Sequence, residues 1–252
     1  MLSRRASIGT VTVVLALLAA GLLAGCSQQA TSAPAAESKA ASFVSDPADI
    51  DDHVEKERQQ KEQERIKQEH EAAWRARFPV DDYSNTLLIG DSLMQNATAS
   101  LYAAMPGVAL NADAGRTLET GGKVIDGESP DAGVLDIVRH DDGSFARYVI
   151  ETGNNDGSGL HMDAAQEIVD CLGPEKEIYF ITLCSVLSPD ATAATNQSID
   201  AMVAQHANVH KIDWYGLING HEYDYLSDGV HVYRSREPDY AAFIKEGLDV
   251  VY

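Results

Sequence analysis

At 252 residues and 44% hydrophobic side chains, the chain has the length of one or two domains and the apolar content of an ordinary globular core. Its formal net charge is −20, unevenly placed: 10 Lys/Arg face 11 Asp/Glu over residues 1–79, and 9 face 28 over residues 80–252. Residues 80–252 therefore carry −19, which repels nucleic acid and anionic lipid head groups and favours a neutral or cationic substrate.

The N-terminus reads as an export signal over residues 1–25. Arg4 and Arg5 form a positive region, and Ile8 to Leu23 form an apolar one that is short for a membrane span. The following Leu23-Ala-Gly-Cys26 resembles the bacterial lipobox. That resemblance implies cleavage, lipid on Cys26, and an extracytoplasmic lipoprotein anchored in the membrane. Ser3-Arg4-Arg5 hints at twin-arginine export, but Ser7 stands where an apolar residue is expected. Residues 26–53, rich in Ala, Ser, Gln and Pro at first, read as a disordered tether. Residues 54–79 read as a charged helical stalk, with Glu57/Lys61 and Glu71/Arg75 as supporting pairs four apart. Val54 and Ile66 are its only large apolar residues before Trp74, so it has no coiled-coil seam. Trp74 and Phe78 are placed to dock its end on the domain that follows.

From residue 80 to 252 strands and helices alternate. Strands are expected at Thr86–Ile89, Val108–Asn111, Arg147–Thr152, Glu177–Leu183 and Val209–Asp213. Helices fit Leu93–Ala104, Leu118–Val124, Ala132–Arg139, Met162–Leu172, Thr192–His206 and Pro238–Leu248. This alternation predicts an α/β fold, a five-stranded parallel sheet covered on both faces as a three-layer α/β/α domain. Cys171 and Cys184 are expected to stay unbonded, because a helix and an antiparallel strand of about seven residues would hold them about 23 Å apart.

Ser92 stands where the first strand gives way to a helix, a position at which open α/β sheets place their ligand crevices. Unpaired N–H groups there favour developing negative charge. By itself such a serine is more often a helix cap than a nucleophile. Polar clusters follow other strands: Ala112-Asp-Ala-Gly115-Arg116 after the second, Gly153-Asn154-Asn155-Asp156 after the third, and Asp228-Gly229-Val230-His231 near the C-terminus. Each alone is ordinary turn chemistry. Together they supply the nucleophile, donors, base and orienting carboxylate of acyl transfer through a serine.

With these blocks in order, residues 85–252 resemble the SGNH (GDSL-type) hydrolase family: Gly90-Asp91-Ser92, Gly115, Gly153-Asn154-Asn155-Asp156 and Asp228-Gly229-Val230-His231 match its four blocks. The resemblance implies a flavodoxin-like sheet ordered 2-1-3-4-5 and a Ser-His-Asp mechanism without cofactor or metal. Within the family, Ile89-Gly-Asp-Ser-Leu-Met94, Asp113-Ala-Gly-Arg116 and Val209-His-Lys-Ile-Asp-Trp-Tyr215 are similar to the extracytoplasmic domains of peptidoglycan O-acetyltransferases. There are two departures. Those domains often carry Gly where this chain has Asp156, and those enzymes own a multi-helix membrane part that supplies acetyl groups. This chain shows no apolar run beyond its signal, which favours an esterase unless a separate membrane protein feeds it.

The resemblance implies a role for each site residue. His231 takes the Ser92 proton, Asp228 orients and stabilises the imidazole, and Ser92 N–H, Gly115 N–H and the Asn155 amide bind the oxyanion. The implied substrate is O-acetyl groups of cell-envelope polysaccharide. Lipase or short-chain carboxylesterase activity is the alternative within enzymes, and a non-catalytic glycan-binding module on the same fold is the alternative outside them. Asp91 reads as a loop-fixing acceptor. His140, His161, His206, His210 and His221 lack metal-ligand spacing. Arg116 fits either a substrate carboxylate or a helix cap. Trp214, Tyr215, Tyr223 and Tyr225 suit either a sugar cleft or the core.

Overall fold

The computed structural model describes residues 47–119, 132–157 and 160–252. The expected signal, Cys26, the first part of the tether and most of the helix expected at Leu118–Val124 lie outside them. The chain divides into residues 1–54 and 55–252. In order the elements are α1 (Pro47–Arg77), β1 (Thr86–Gly90), α2 (Ser92–Asn96), α3 (Thr98–Ala104), β2 (Ala109–Ala112), α4 (Val134–His140) and β3 (Arg147–Glu151). There follow α5 (Met162–Leu172), β4 (Glu177–Ile181), α6 (Pro189–Gln205), β5 (Val209–Ile212), α7 (Trp214–Ile218), α8 (Glu222–Tyr225) and α9 (Glu237–Asp249).

The helix begins at Pro47, so it claims residues 47–53 that the composition assigned to the tether. Proline suits a first helical turn. Among the described residues neither expected ion pair of the stalk forms. Arg58 pairs with Glu55, and Arg65 with Glu62 and Glu69. These pairs are exposed, so water screens them and they add little to the helix. At the other end of α1, Trp74 and Phe78 are buried, their rings 5.0 Å apart. Arg77 reaches Glu177 at 2.7 Å, and Glu177 also meets the buried His210 at 2.8 Å.

The five strands form one parallel sheet ordered β2-β1-β3-β4-β5. Alternate side chains enter opposite cores. Leu88, Val149, Tyr179 and Ile212 pack with Leu101, Tyr240 and Ile244 of α3 and α9. Leu87, Ile89, Ile150 and Phe180 pack on the other face with Val134, Ile168 and Met202 of α4, α5 and α6. Because β1 has β2 on one side and β3 on the other, the chain reverses its winding there, and the crevice opens at β1's carboxyl end.

Arg147, only 1% exposed, locks the opposite end of the sheet. Its Nε donates to Thr86 Oγ1 at 2.9 Å and its Nη2 to Asp82 O at 2.9 Å. The guanidinium lies over the Phe78 and Tyr83 rings, 4.8 and 5.3 Å from their centroids. Burial pulls its pKa down, and the surrounding tyrosines and aspartates oppose that. Arg147→Met leaves buried acceptors unpaired, so a loss of about 2–4 kcal/mol in urea unfolding is expected. Unchanged stability would show that water replaces the guanidinium at no cost.

Candidate active site

Asp91 caps α2, its Oδ1 accepting from Leu93 N at 3.0 Å, and Ser92 opens that helix at the end of β1. The Ser92 hydroxyl and His231 Nε2 are 2.9 Å apart, and His231 Nδ1 is 2.7 Å from Asp228 Oδ2. With Nδ1–H donating to the carboxylate, Nε2 is left to accept from the hydroxyl. The three side chains thus form one hydrogen-bonded line.

The loop that brings His231 to Ser92 is fixed at several points. Asp228 Oδ1 accepts from Val230 N and His231 N at 2.9 and 2.8 Å. Ser227 N donates to His231 O at 2.7 Å, and Val186 N to Gly229 O at 2.9 Å. Burial disfavours the Asp228 charge, but the His231 ring and the two backbone donors outweigh it and hold its pKa at about 2. The carboxylate therefore stays ionised throughout the pH range in which the fold is expected to work.

Gly115, buried after β2, has φ +81°, which suits glycine. Among the described residues neither Ser92 N nor Gly115 N donates to a protein acceptor. Asn155 departs from expectation. Its Nδ2 donates to Asp91 Oδ2 at 3.1 Å and to Arg116 O at 3.2 Å. Both amide hydrogens are thereby occupied, and the side chain ties the Ser92 turn to the loop after β2. Asp156 does similar work, its Oδ1 accepting from Leu118 N at 2.8 Å.

Arg116 is turned inward rather than out to a substrate. It is buried, donating to Gly90 O and Ala132 O, each at 3.0 Å, and to Asn111 Oδ1 at 2.8 Å. Trp214 is a core residue, its ring 4.9 Å from Tyr240, whereas Tyr223 is exposed. Five further histidines have separate partners: His140 meets Asp136 O, His161 meets Glu119, His206 meets Gln166, His210 meets Glu177 and His221 meets Asp224. Among the described residues no cluster of three His, Cys, Asp or Glu is arranged to hold a metal. Cys171 and Cys184 are both free thiols. A cavity of about 500 Å³ lies beyond β4 and β5, lined by Thr182, Cys184, Val186, Asn196, Asp213 and Tyr215 among others. It adjoins Val186, which holds the His231 loop, but does not include Ser92 or His231.

A parallel sheet in this order, with a serine at the end of β1 facing a histidine from just before the last helix, is the flavodoxin-like α/β/α fold of SGNH hydrolases. No family model matches the chain. The chain is 25% identical over 149 residues to the O-acetyltransferase OatA of Staphylococcus aureus, 59% of this chain but only 22% of that protein. It thus spans about a fifth of the length of the curated relative. Among solved structures, the C-terminal catalytic domain of Streptococcus pneumoniae peptidoglycan O-acetyltransferase A, carrying a methylsulfonyl adduct, superposes with a TM-score of 0.51. The identity there is 21%, covering 66% of this chain and 91% of that domain. These likenesses agree with the resemblance carried by the four sequence blocks.

Proposed function

We propose that the protein is an extracytoplasmic, lipid-anchored serine esterase or acetyltransferase acting on O-acetyl groups of cell-envelope glycan. The observation that carries the reading is the hydrogen-bonded line from Ser92 through His231 to Asp228 at the end of β1. In this reading Ser92 Oγ attacks the acetyl carbonyl while His231 Nε2 takes its proton. The imidazolium, steadied by Asp228, then returns the proton to the leaving sugar hydroxyl. Ser92 N–H and Gly115 N–H receive the oxyanion. The Asn155 amide joins them only by exchanging its bond to Arg116 O for one to the substrate. Water completes hydrolysis; a second sugar hydroxyl completes transfer.

Two observations support the glycan: the likeness to the catalytic domain of a peptidoglycan O-acetyltransferase, and the negative charge of residues 80–252, which disfavours anionic lipid surfaces. The test is acetyl release from acetylated envelope polysaccharides, compared with hydrolysis of long-chain acyl esters by the same preparation. Preference for long chains would replace the glycan reading with the lipase one.

The anchor is part of the same proposal. No described helix is long and apolar enough to cross a membrane, and the Leu23-Ala-Gly-Cys26 sequence supplies the attachment point. Cys26→Ser is expected to move the protein out of the membrane fraction or leave it unprocessed. Normal processing together with membrane retention would sink the lipidation of Cys26.

A further inference from the structure

Directly behind Ser92 lie two carboxyl groups that the proposed chemistry does not use. Asp91 is 0% exposed and Glu151, the last residue of β3, is 1% exposed. Glu151 sits opposite Gly90 in the β1–β3 register, and Asp91 N donates to Glu151 O at 3.2 Å. The two carboxyl groups face each other behind the turn, each in the field of the other's charge. Two ionised carboxylates have only acceptors to offer, so a bond between them requires a proton. Water-free burial of two adjacent negative charges is also prohibitive, and one of the pair must stay neutral.

The surroundings decide which one. Burial raises the Asp91 pKa to about 6, but Asp91 accepts regular hydrogen bonds from Leu93 N and Asn155 Nδ2, and Leu93 N–H and His231 favour its charge. Neither oxygen of Glu151 has a partner of regular geometry among the described residues. The N–H groups of Asp91 and Met94 face it and favour its ionised form, but burial and the Asp91 charge outweigh them and raise its pKa well above the ordinary value. The other groups facing the pair are Tyr240 from α9 and Asp156, both of which add negative charge when ionised. Arg116 faces the same turn through Gly90 O.

We propose that Glu151 is a positioning residue: a neutral carboxylic acid that donates its O–H to Asp91 and thereby fixes the turn carrying Ser92 and the amide of Asn155. Asp91 then has three donors, from Leu93, Asn155 and Glu151, and the nucleophile stands on a turn that is braced from inside the sheet. The effect on rate rests on reading Ser92 as the nucleophile, whereas the protonation of Glu151 does not.

Two measurements separate these parts. The folded protein holds a proton on Glu151 that the unfolded chain releases above about 4.5. Stability from this group is therefore complete below that value and declines as pH rises towards the folded-state pKa. The unfolding constant of the wild type, relative to that of Glu151→Gln, is expected to rise up to about tenfold per pH unit across that window. The same comparison in a Ser92→Ala background must give the same slope, whatever the nucleophile is. Parallel pH dependences of the two proteins would overturn the neutral acid.

The second measurement is kcat against pH on an acetate ester. Glu151→Leu, which has no donor, is expected to lose about 30- to 100-fold in kcat with KM little changed, the scale of a small misplacement of reacting groups. Glu151→Gln, whose amide can donate to Asp91, is expected to recover most of that rate. It should also lack the reversible fall that ionisation of Glu151 brings to the wild type as pH rises towards the folded-state pKa. Equal rates for folded Gln and Leu variants, with the stability slope intact, would overturn the positioning role and leave the protonation standing.

Discussion

Ser92→Ala and His231→Ala are each expected to lower kcat/KM on an acetate ester by on the order of 10⁴-fold or more, and the double variant by little beyond either single one. Residues joined in one hydrogen-bonded line act as a unit, so removing the second member costs almost nothing once the first is gone. The 2.9 and 2.7 Å contacts make that coupling concrete. Asp228→Asn should be milder than Ser92→Ala, since the nucleophile survives, but it loses the carboxylate that holds the imidazole tautomer. Because Asp228 is held at about 2, it stays ionised at every pH at which the variants are compared. The measurement is kcat/KM for each variant, with folding checked by circular dichroism. A folded Ser92→Ala protein that keeps more than about a tenth of the activity would place the nucleophile elsewhere, since even one lost oxyanion donor costs about 100-fold.

Much of this arrangement was legible in the chain because it is local. Thr86 to Ile89 is apolar and ends at Gly90, so β1 and the start of α2 could be placed to within a residue. Asp228 and His231 are three apart, a spacing that one short loop presents together. Legibility failed where side chains answer to distant partners. The single helix expected over Leu93–Ala104 breaks at Ala97, where Thr98 Oγ1 turns back to Gln95 O at 2.6 Å. β4 stops at Ile181 rather than Leu183 because the Leu183 backbone turns to the Asn196 side chain, its N–H donating to Oδ1 at 2.8 Å and its O accepting from Nδ2 at 2.9 Å. Arg116 stands in a loop-like string and Glu151 at the end of an expected strand, and nothing in their neighbours predicts that both charged residues are buried. Their partners, Gly90 O and Asp91, lie 26 and 60 residues away along the chain. Asn155 was readable as a site residue, but the commitment of both its amide hydrogens depends on where two other loops pass.

Gly229→Ala is expected to lower kcat by about 100-fold while the protein stays folded. Gly229 sits between Asp228 and His231 with φ +90°, a backbone state that costs an L-residue about 1–2 kcal/mol. Space is a second obstacle. A Cβ added there would lie 2.3 Å from Val186 Cγ2, and Val186 is held by its own N–H bond to Gly229 O. The loop must shift, and it carries both His231 and Asp228. A displacement near 1 Å is enough for a loss of this size. Since the clash acts on geometry in the transition state, kcat should fall more than KM rises. Val186→Ala in the Gly229→Ala background removes the Cγ2 contact and should return about tenfold, the remaining deficit being the backbone cost. Gly229→Ala with more than half the wild-type kcat would mean that the loop accommodates the methyl group without moving His231, and that its hydrogen bonds, not this glycine, set the position of the base.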